Sequence, residues 1–300
     1  MKKIIKLVLF VMLAMMLAAC AGGSGNGGGS ATKTIADDDV MALHMNKPAE
    51  FVSVERYCEA TTDGKIVEKD LVYNLSDEES ITIGFMPAQK LSDMTNVDNL
   101  EQYEINGFTV YRFNNGNDVM GFIQNGEDLY VVDMTMKEVD DGTKLKELLG
   151  GVSFTSNTTT VMDEPAFDEL NYQLDDDHSV YKTTSRVTED PNGNLMEKNV
   201  GWHYGEEGNE DFTFMIRVDK NKTFADILIA DNTYEDVEIN GLAYKVYVSS
   251  ANEKPYSYYI EHDNDVYNIR NSGDTSGWFS SRSEESYTCF DKFINSISFK

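Results

Sequence analysis

Glu104-Ile105-Asn106-Gly107-Phe108 returns in the second half of the chain as Glu238-Ile239-Asn240-Gly241-Leu242. Asn-Gly between two alternating apolar runs is a strong hairpin signal, because both residues tolerate the positive φ that a type I′ turn demands. The matches continue outward from both copies. Glu68-Lys69-Asp70-Leu71 aligns with Glu197-Lys198-Asn199-Val200, and Ile81-Thr82-Ile83 with Phe212-Thr213-Phe214. Phe122-Ile123 and Leu129-Tyr130 align with Tyr259-Ile260 and Val266-Tyr267. The copies close on Val152-Ser153-Phe154 and Ile297-Ser298-Phe299. We read the chain as a duplication, with modules over 35–154 and 161–300. Its 300 residues agree with a prior of about two domains.

Within the first copy, Phe51 to Ala60 alternates, placing Val52, Val54, Cys58 and Ala60 on one face of a strand. Asp63-Gly64 turns it into Ile66–Leu75, and Ile81–Phe85 follows. Pro87 to Asn96 reads as a loop or a single helical turn. Beyond the Asn-Gly turn, strands run through Phe113, over Val119–Gln124 and over Leu129–Met134. Leu145, Leu148, Leu149 and Val152 keep helical spacing, and Gly150-Gly151 stops that helix. Asp37-Asp38-Asp39 is placed to cap a short helix reaching Met45. In the second copy Ser281 and Glu284 have capping-box spacing ahead of Phe290, Phe293, Ile294 and Ile297. The expected fold class is α+β: two tandem antiparallel β-sheet modules, each with a C-terminal helix packed on one sheet face.

This plan resembles PsbP-like domains. The residues that carry the resemblance are Ile105-Asn106-Gly107, Tyr130 and Val152-Ser153-Phe154, then Ile239-Asn240-Gly241, Tyr267 and Ile297-Ser298-Phe299. They are turns, core positions and closing strands. The resemblance implies a fold and no single activity.

The N-terminus reads as an address. Met1-Lys2-Lys3 and Lys6 precede an apolar run from Leu7 to Leu17, too short for a spanning helix, so 1–19 is expected to be a signal peptide. Leu17-Ala18-Ala19-Cys20 looks like the lipobox of bacterial lipoproteins. That resemblance implies acyl transfer to the Cys20 thiol and cleavage just before it. Two buried acyl chains, at about 0.8 kcal/mol per methylene, anchor stably where one is marginal. Residues 20–34 add a Gly/Ser-rich flexible tether. The expected location is the extracytoplasmic face of a cell membrane, with the lipid bilayer as first partner.

A formal net charge of −27 repels phosphate backbones, which excludes nucleic acid as a partner. The four histidines, His44, His178, His203 and His262, lack any ligand spacing, and no serine sits in a G-x-S-x-G elbow. Asp37-Asp38-Asp39, Asp175-Asp176-Asp177 and Asp263-Asn264-Asp265 offer clustered oxygens for calcium. None fits an EF-hand loop; Asp190, Asn192 and Asn194 come nearest, with Leu195 where Gly is needed. No cofactor or metal site is assigned. Cys58 reads as a buried thiol and Cys289 lies beside the last helix's apolar stripe; a secreted location permits a disulfide between them. Trp202 and Tyr204 share a strand face and read as core. Trp278, in the Ser/Gly/Asp-rich stretch 272–283, is the candidate partner contact. The functional expectation is a non-catalytic binding or assembly module of the cell envelope, recognising an envelope protein or glycan. The alternatives are an enzyme of unrecognised type acting on an envelope or extracellular substrate, and a calcium-linked surface protein.

Overall fold

The computed structural model describes residues 39–94, 100–115, 118–138, 142–155, 167, 169–174, 177–206, 209–248, 254–273 and 282–300. The chain divides into two compact units. The first comprises 1–58, 65–161 and 190–192; the second comprises 59–64, 162–189 and 193–300.

In the first unit the elements run β1 (Leu43–His44), β2 (Ser53–Thr61, whose end falls in the second unit), β3 (Ile66–Asn74), β4 (Ser80–Met86) and helix α1 (Leu91–Met94). They continue as β5 (Glu101–Ile105), β6 (Phe108–Asn115), β7 (Asp118–Asn125), β8 (Asp128–Thr135), α2 (Thr143–Leu149) and β9 (Ser153–Phe154). Hydrogen-bonded order is β2-β3-β4-β8-β7-β6-β5, all antiparallel, with β1 paired to β9. Register follows the hydrophobic pattern: Leu71 opposes Ile83, Ile83 opposes Val132, and Ile105 opposes Phe108 across the Asn-Gly turn. One core gathers Val54, Leu71, Ile83, Val110, Ile123, Tyr130 and Val132 beneath Leu145 and Leu149 of α2. A second apolar cluster, Met86, Leu91, Met120, Phe122, Leu129 and Val131, occupies the other side of β7 and β8.

The second unit repeats the sequence of elements: β10 (Leu170–Asn171), β11 (Val180–Glu189), β12 (Leu195–Glu206), β13 (Asn209–Asp219) and α3 (Phe224–Ile227). Then come β14 (Thr233–Ile239), β15 (Leu242–Val248), β16 (Ser257–His262), β17 (Asp265–Asn271), α4 (Glu284–Ser296) and β18 (Ser298–Phe299). Its order, β11-β12-β13-β17-β16-β15-β14 with β10 on β18, mirrors the first unit strand for strand. Its core is aromatic. Phe214 packs against Phe290 and Phe293 of α4 at 5.2 and 5.3 Å between centroids, and Trp202 lies 6.0 Å from Phe293.

The expected α+β class, two sheet modules each with a packed C-terminal helix, is corrected. The described residues are 55% strand and 12% helix, and therefore mainly β. Fourteen strands form antiparallel sheet, seven to a unit, against four short helices among the described residues. The strands expected over Val119–Gln124 and Leu129–Met134 fall within β7 and β8, and it is the helical share that is smaller than expected. Leu145, Leu148 and Leu149 do lie on a helix, but α2 is held between Gly142 and Gly150 to seven residues, two turns on a strand scaffold. The helix expected to reach Met45 is a tight turn instead, with Val40 and Leu43 exchanging backbone hydrogen bonds of 3.0 and 2.8 Å. Val52 precedes β2 and is 55% exposed rather than facing the core with Val54.

Candidate functional site

A cleft of about 650 Å³ opens in the first unit. Three segments build it: Asn46 to Glu50 between β1 and β2, Leu75 to Ile81 around the β3–β4 turn, and Lys144, Glu147 and Leu148 of α2. The β3–β4 turn is fixed by Leu75 N–H and Ser76 N–H donating to Glu79 O at 2.9 and 3.2 Å. Val52 N–H, donating to Asn74 O at 2.7 Å, ties the first segment to β3. Asn46 Nδ2 donates to Glu147 O at 3.4 Å. Its side chain lies over Gly151, where a Cβ would stand 2.0 Å from Asn46 Oδ1.

The chemistry of this lining is mixed. Leu75, Ile81 and Leu148 supply apolar surface, whereas Lys47 and Lys144 stand among Glu50, Glu79 and Glu147. Glu79 Oε1 already accepts from Lys137 N–H at 3.0 Å, so that carboxylate has a fixed orientation. Its size is that of a small-molecule or peptide site. The described lining holds no histidine, cysteine, serine or tyrosine that would serve as base or nucleophile.

Cys20 and Trp278 lie outside the described residues, as do the acidic residues at 37, 38, 175 and 176. Each of the four histidines has its own partners. His44 Nδ1 lies 2.6 Å from Asp39 Oδ1, and His262 stacks on Phe299 with centroids 3.7 Å apart. His178 and His203 belong to separate clusters within the second unit. Of the acidic runs, Asp177 pairs with Lys292 at 3.0 Å. Asp263 and Asn264 take φ of 50° and 65° in the β16–β17 turn, and Asp265 accepts from Lys220 Nζ and from Asn221 N–H. Asp190 Oδ1 accepts from Asn192 N–H at 2.8 Å, an Asx turn. These carboxylates are engaged in turns and ion pairs. Among the described residues no group of three or more His, Cys, Asp or Glu side chains converges as a metal site. Cys58 and Cys289 are both thiols and form no disulfide, and burial pushes the Cys58 thiol up to about 11. Trp202 and Tyr204 are buried in the core.

A polar network on the second unit's sheet escapes sequence reading. His203 sits between Trp202 and Tyr204, so the strand's alternation turns it to the opposite face. There its Nδ1 lies 3.1 Å from both Glu210 Oε1 and Thr213 Oγ1, and its Nε2 lies 3.3 Å from Thr184 Oγ1. Tyr181 donates its hydroxyl to Glu210. Lys182 Nζ stands 3.4 Å from Glu59 and 3.6 Å from Glu210. Gly201 is needed beside it, since a Cβ would come 2.7 Å from Thr184 Oγ1. The alternation around His203 was the available signal; its partners, on β11 and β13, had none. The network ties β11, β12 and β13 together across the sheet face.

No family model matches the chain, and no curated protein sequence matches it. Among solved structures, the immunity protein TplEi of T6SS from Pseudomonas aeruginosa, complexed with "L" peptide, is similar at 8% identity. The superposition covers 86% of this chain and 95% of that chain with a TM-score of 0.26, too low to support an argument about fold or function. No helix among the described residues is long and apolar enough to cross a membrane.

Proposed function

We propose that the protein is a lipoprotein anchored through acylated Cys20 on the extracytoplasmic face of the membrane, where its first unit binds an extended segment of an envelope protein. The observation that carries the anchor is the run Leu17-Ala18-Ala19-Cys20 behind a basic and apolar leader, followed by a Gly/Ser tether. The cleft supports binding, because its lining joins an apolar floor to charges of both signs. A peptide matches that pattern: its side chains alternate in chemistry, and its backbone meets Asn46 and the lysines. A glycan fits less well, since the lining has no aromatic ring for a sugar to stack on. Trp278 is retained as a proposed second contact, and the PsbP-like resemblance as a proposal about ancestry alone.

The experiment has two arms in the native cell. A fatty-acid probe should label the full chain and not Cys20→Ala; labelling of both would remove the anchor. A photocrosslinker at Ala49, in the cleft lining, should capture a discrete envelope protein. The same crosslinker at Met196, 47% exposed in the second unit, is the control. Equal capture from the two positions would remove the cleft from the proposal, and Trp278→Ala tests the second contact by the same readout.

A further inference from the structure

Cys289 is buried in α4, 3% exposed, yet it does not lie against hydrocarbon alone. Its Sγ is 3.6 Å from Nδ1 of His178, in the stretch just before β11. The other ring nitrogen, Nε2, is 3.1 Å from Glu285 Oε1. Glu285 and Cys289 stand four residues apart on one helix, which puts carboxylate and sulfur on the same side of it. His178 bridges them. The imidazole is braced edge-on by Phe212, with centroids 5.4 Å apart. The other charges nearby are already paired: Asp177 with Lys292, and Glu284 with Lys254.

The arrangement is directional. Glu285 is 70% exposed and the His178 side chain 23%, so carboxylate, imidazole and thiol run from solvent inward. An accepting carboxylate fixes the imidazole proton on Nε2, leaving Nδ1 to take the proton of the thiol. A base oriented by a third group and aimed at a sulfur is the requirement for an activated cysteine. Burial restricts what can reach it to molecules of a few atoms.

We propose that Cys289, His178 and Glu285 form a thiol site that reacts with small hydroperoxides. The thiol proton passes to His178 Nδ1 as sulfur attacks one peroxide oxygen. The O–O bond breaks, an S–O bond forms, and the proton is delivered to the departing oxygen. Cys289 is oxidised to the sulfenic acid while the hydroperoxide is reduced to water or an alcohol. The site is independent of the cleft and of the anchor.

The test uses the full chain, with hydrogen peroxide and iodoacetamide as probes and peptide mass spectrometry resolving each cysteine across pH. Cys58 is the internal reference, a half-buried thiol held up at about 11 by burial. At pH 7, Cys289 should be alkylated and sulfenylated about tenfold or more faster than Cys58. His178→Asn should remove about tenfold of that rate, and Glu285→Gln about threefold with the pH midpoint moved upward. Glu285 is exposed, so its variant keeps the fold and decides the matter should His178→Asn unfold. Cys289 reacting no faster than Cys58, or indifferent to Glu285→Gln in a folded protein, would overturn the site. Alkylation without sulfenylation would overturn the hydroperoxide assignment.

Discussion

Asn106 Nδ2 donates to Gly150 O at 2.8 Å, joining the β5–β6 turn to the end of α2. The same amide lies 3.2 Å from Val152 O. In the second unit Asn240 Nδ2 donates to Asn295 O at 2.6 Å, at the end of α4. The repeated Asn-Gly therefore has two functions. Its backbone takes positive φ, 51° and 82° in one copy and 53° and 78° in the other, to close the hairpin. Its side chain satisfies a carbonyl that the helix terminus leaves open.

Asn106→Gly and Asn240→Gly separate those functions, since glycine keeps the turn and deletes the amide. Each should lower the unfolding free energy by about 1 kcal/mol in urea melts. Alanine should cost roughly 1 kcal/mol more, because it is also strained at positive φ. A glycine variant as stable as the wild type would show that the side-chain bond contributes nothing, and equal losses for glycine and alanine would show that the positive φ carries no strain.

Gly121 on β7 faces Leu145 of α2. A Cβ there would stand 3.0 Å from Leu145 Cδ1 and 3.3 Å from Cδ2. Gly121→Val should cost about 1–3 kcal/mol through overpacking. In the Leu145→Ala background the added penalty should shrink, giving a coupling of at least about 0.5 kcal/mol in a double-mutant cycle. Strict additivity would mean that the crowding arises elsewhere.

How much of this was legible in sequence depends on how far each signal reaches along the chain. Asn106-Gly107 and Asn240-Gly241 are local, and their turns could be read directly. The strand order follows from such turns plus alternating residues. The class differs from expectation because Leu145, Leu148 and Leu149 announce a helix without announcing its length, which is seven residues. The cleft draws on three separate segments, and no short motif marks it. Cys289 and His178 are separated by 111 positions, so only folding brings sulfur to nitrogen. The candidate residues chosen from sequence, Cys20 and Trp278, fall outside the described residues.

Asp133 on β8 gives the first unit a pH dependence. Its Oδ1 is buried with no hydrogen-bond partner among the described residues. Burial, aided by the charge of Asp118, raises its carboxyl from 3.8 to about 6. A raised acid pKa means that the folded state binds its proton more tightly than the unfolded chain. Stability is therefore greatest at low pH with respect to this group, and is lost as pH rises from about 4 through about 6. Asp133→Asn should stabilise the protein at pH 7 by about 1–3 kcal/mol, with the difference vanishing near pH 4. A benefit that is the same at both pH values would refer to packing, not ionisation.

Tyr244 and Tyr267 are buried tyrosines in the second unit that should respond oppositely to loss of the hydroxyl. Tyr244 packs edge-on against Tyr258, with centroids 5.9 Å apart, and its hydroxyl has no hydrogen-bond partner among the described residues. Burial alone pushes that phenol up to about 12. Tyr267 instead donates to Glu169 Oε2 at 2.8 Å. An unsatisfied buried hydroxyl destabilises the folded state, whereas a satisfied one returns about 1 kcal/mol. Tyr244→Phe should therefore leave the urea midpoint unchanged or raise it, keeping the ring and its contact. Tyr267→Phe should lower stability by about 1–2 kcal/mol, because it also strips a donor from the Glu169 carboxylate. A loss above about 1 kcal/mol for Tyr244→Phe would establish that its hydroxyl is satisfied in solution. Equal losses for the two variants would attribute the effect to the aromatic packing they share.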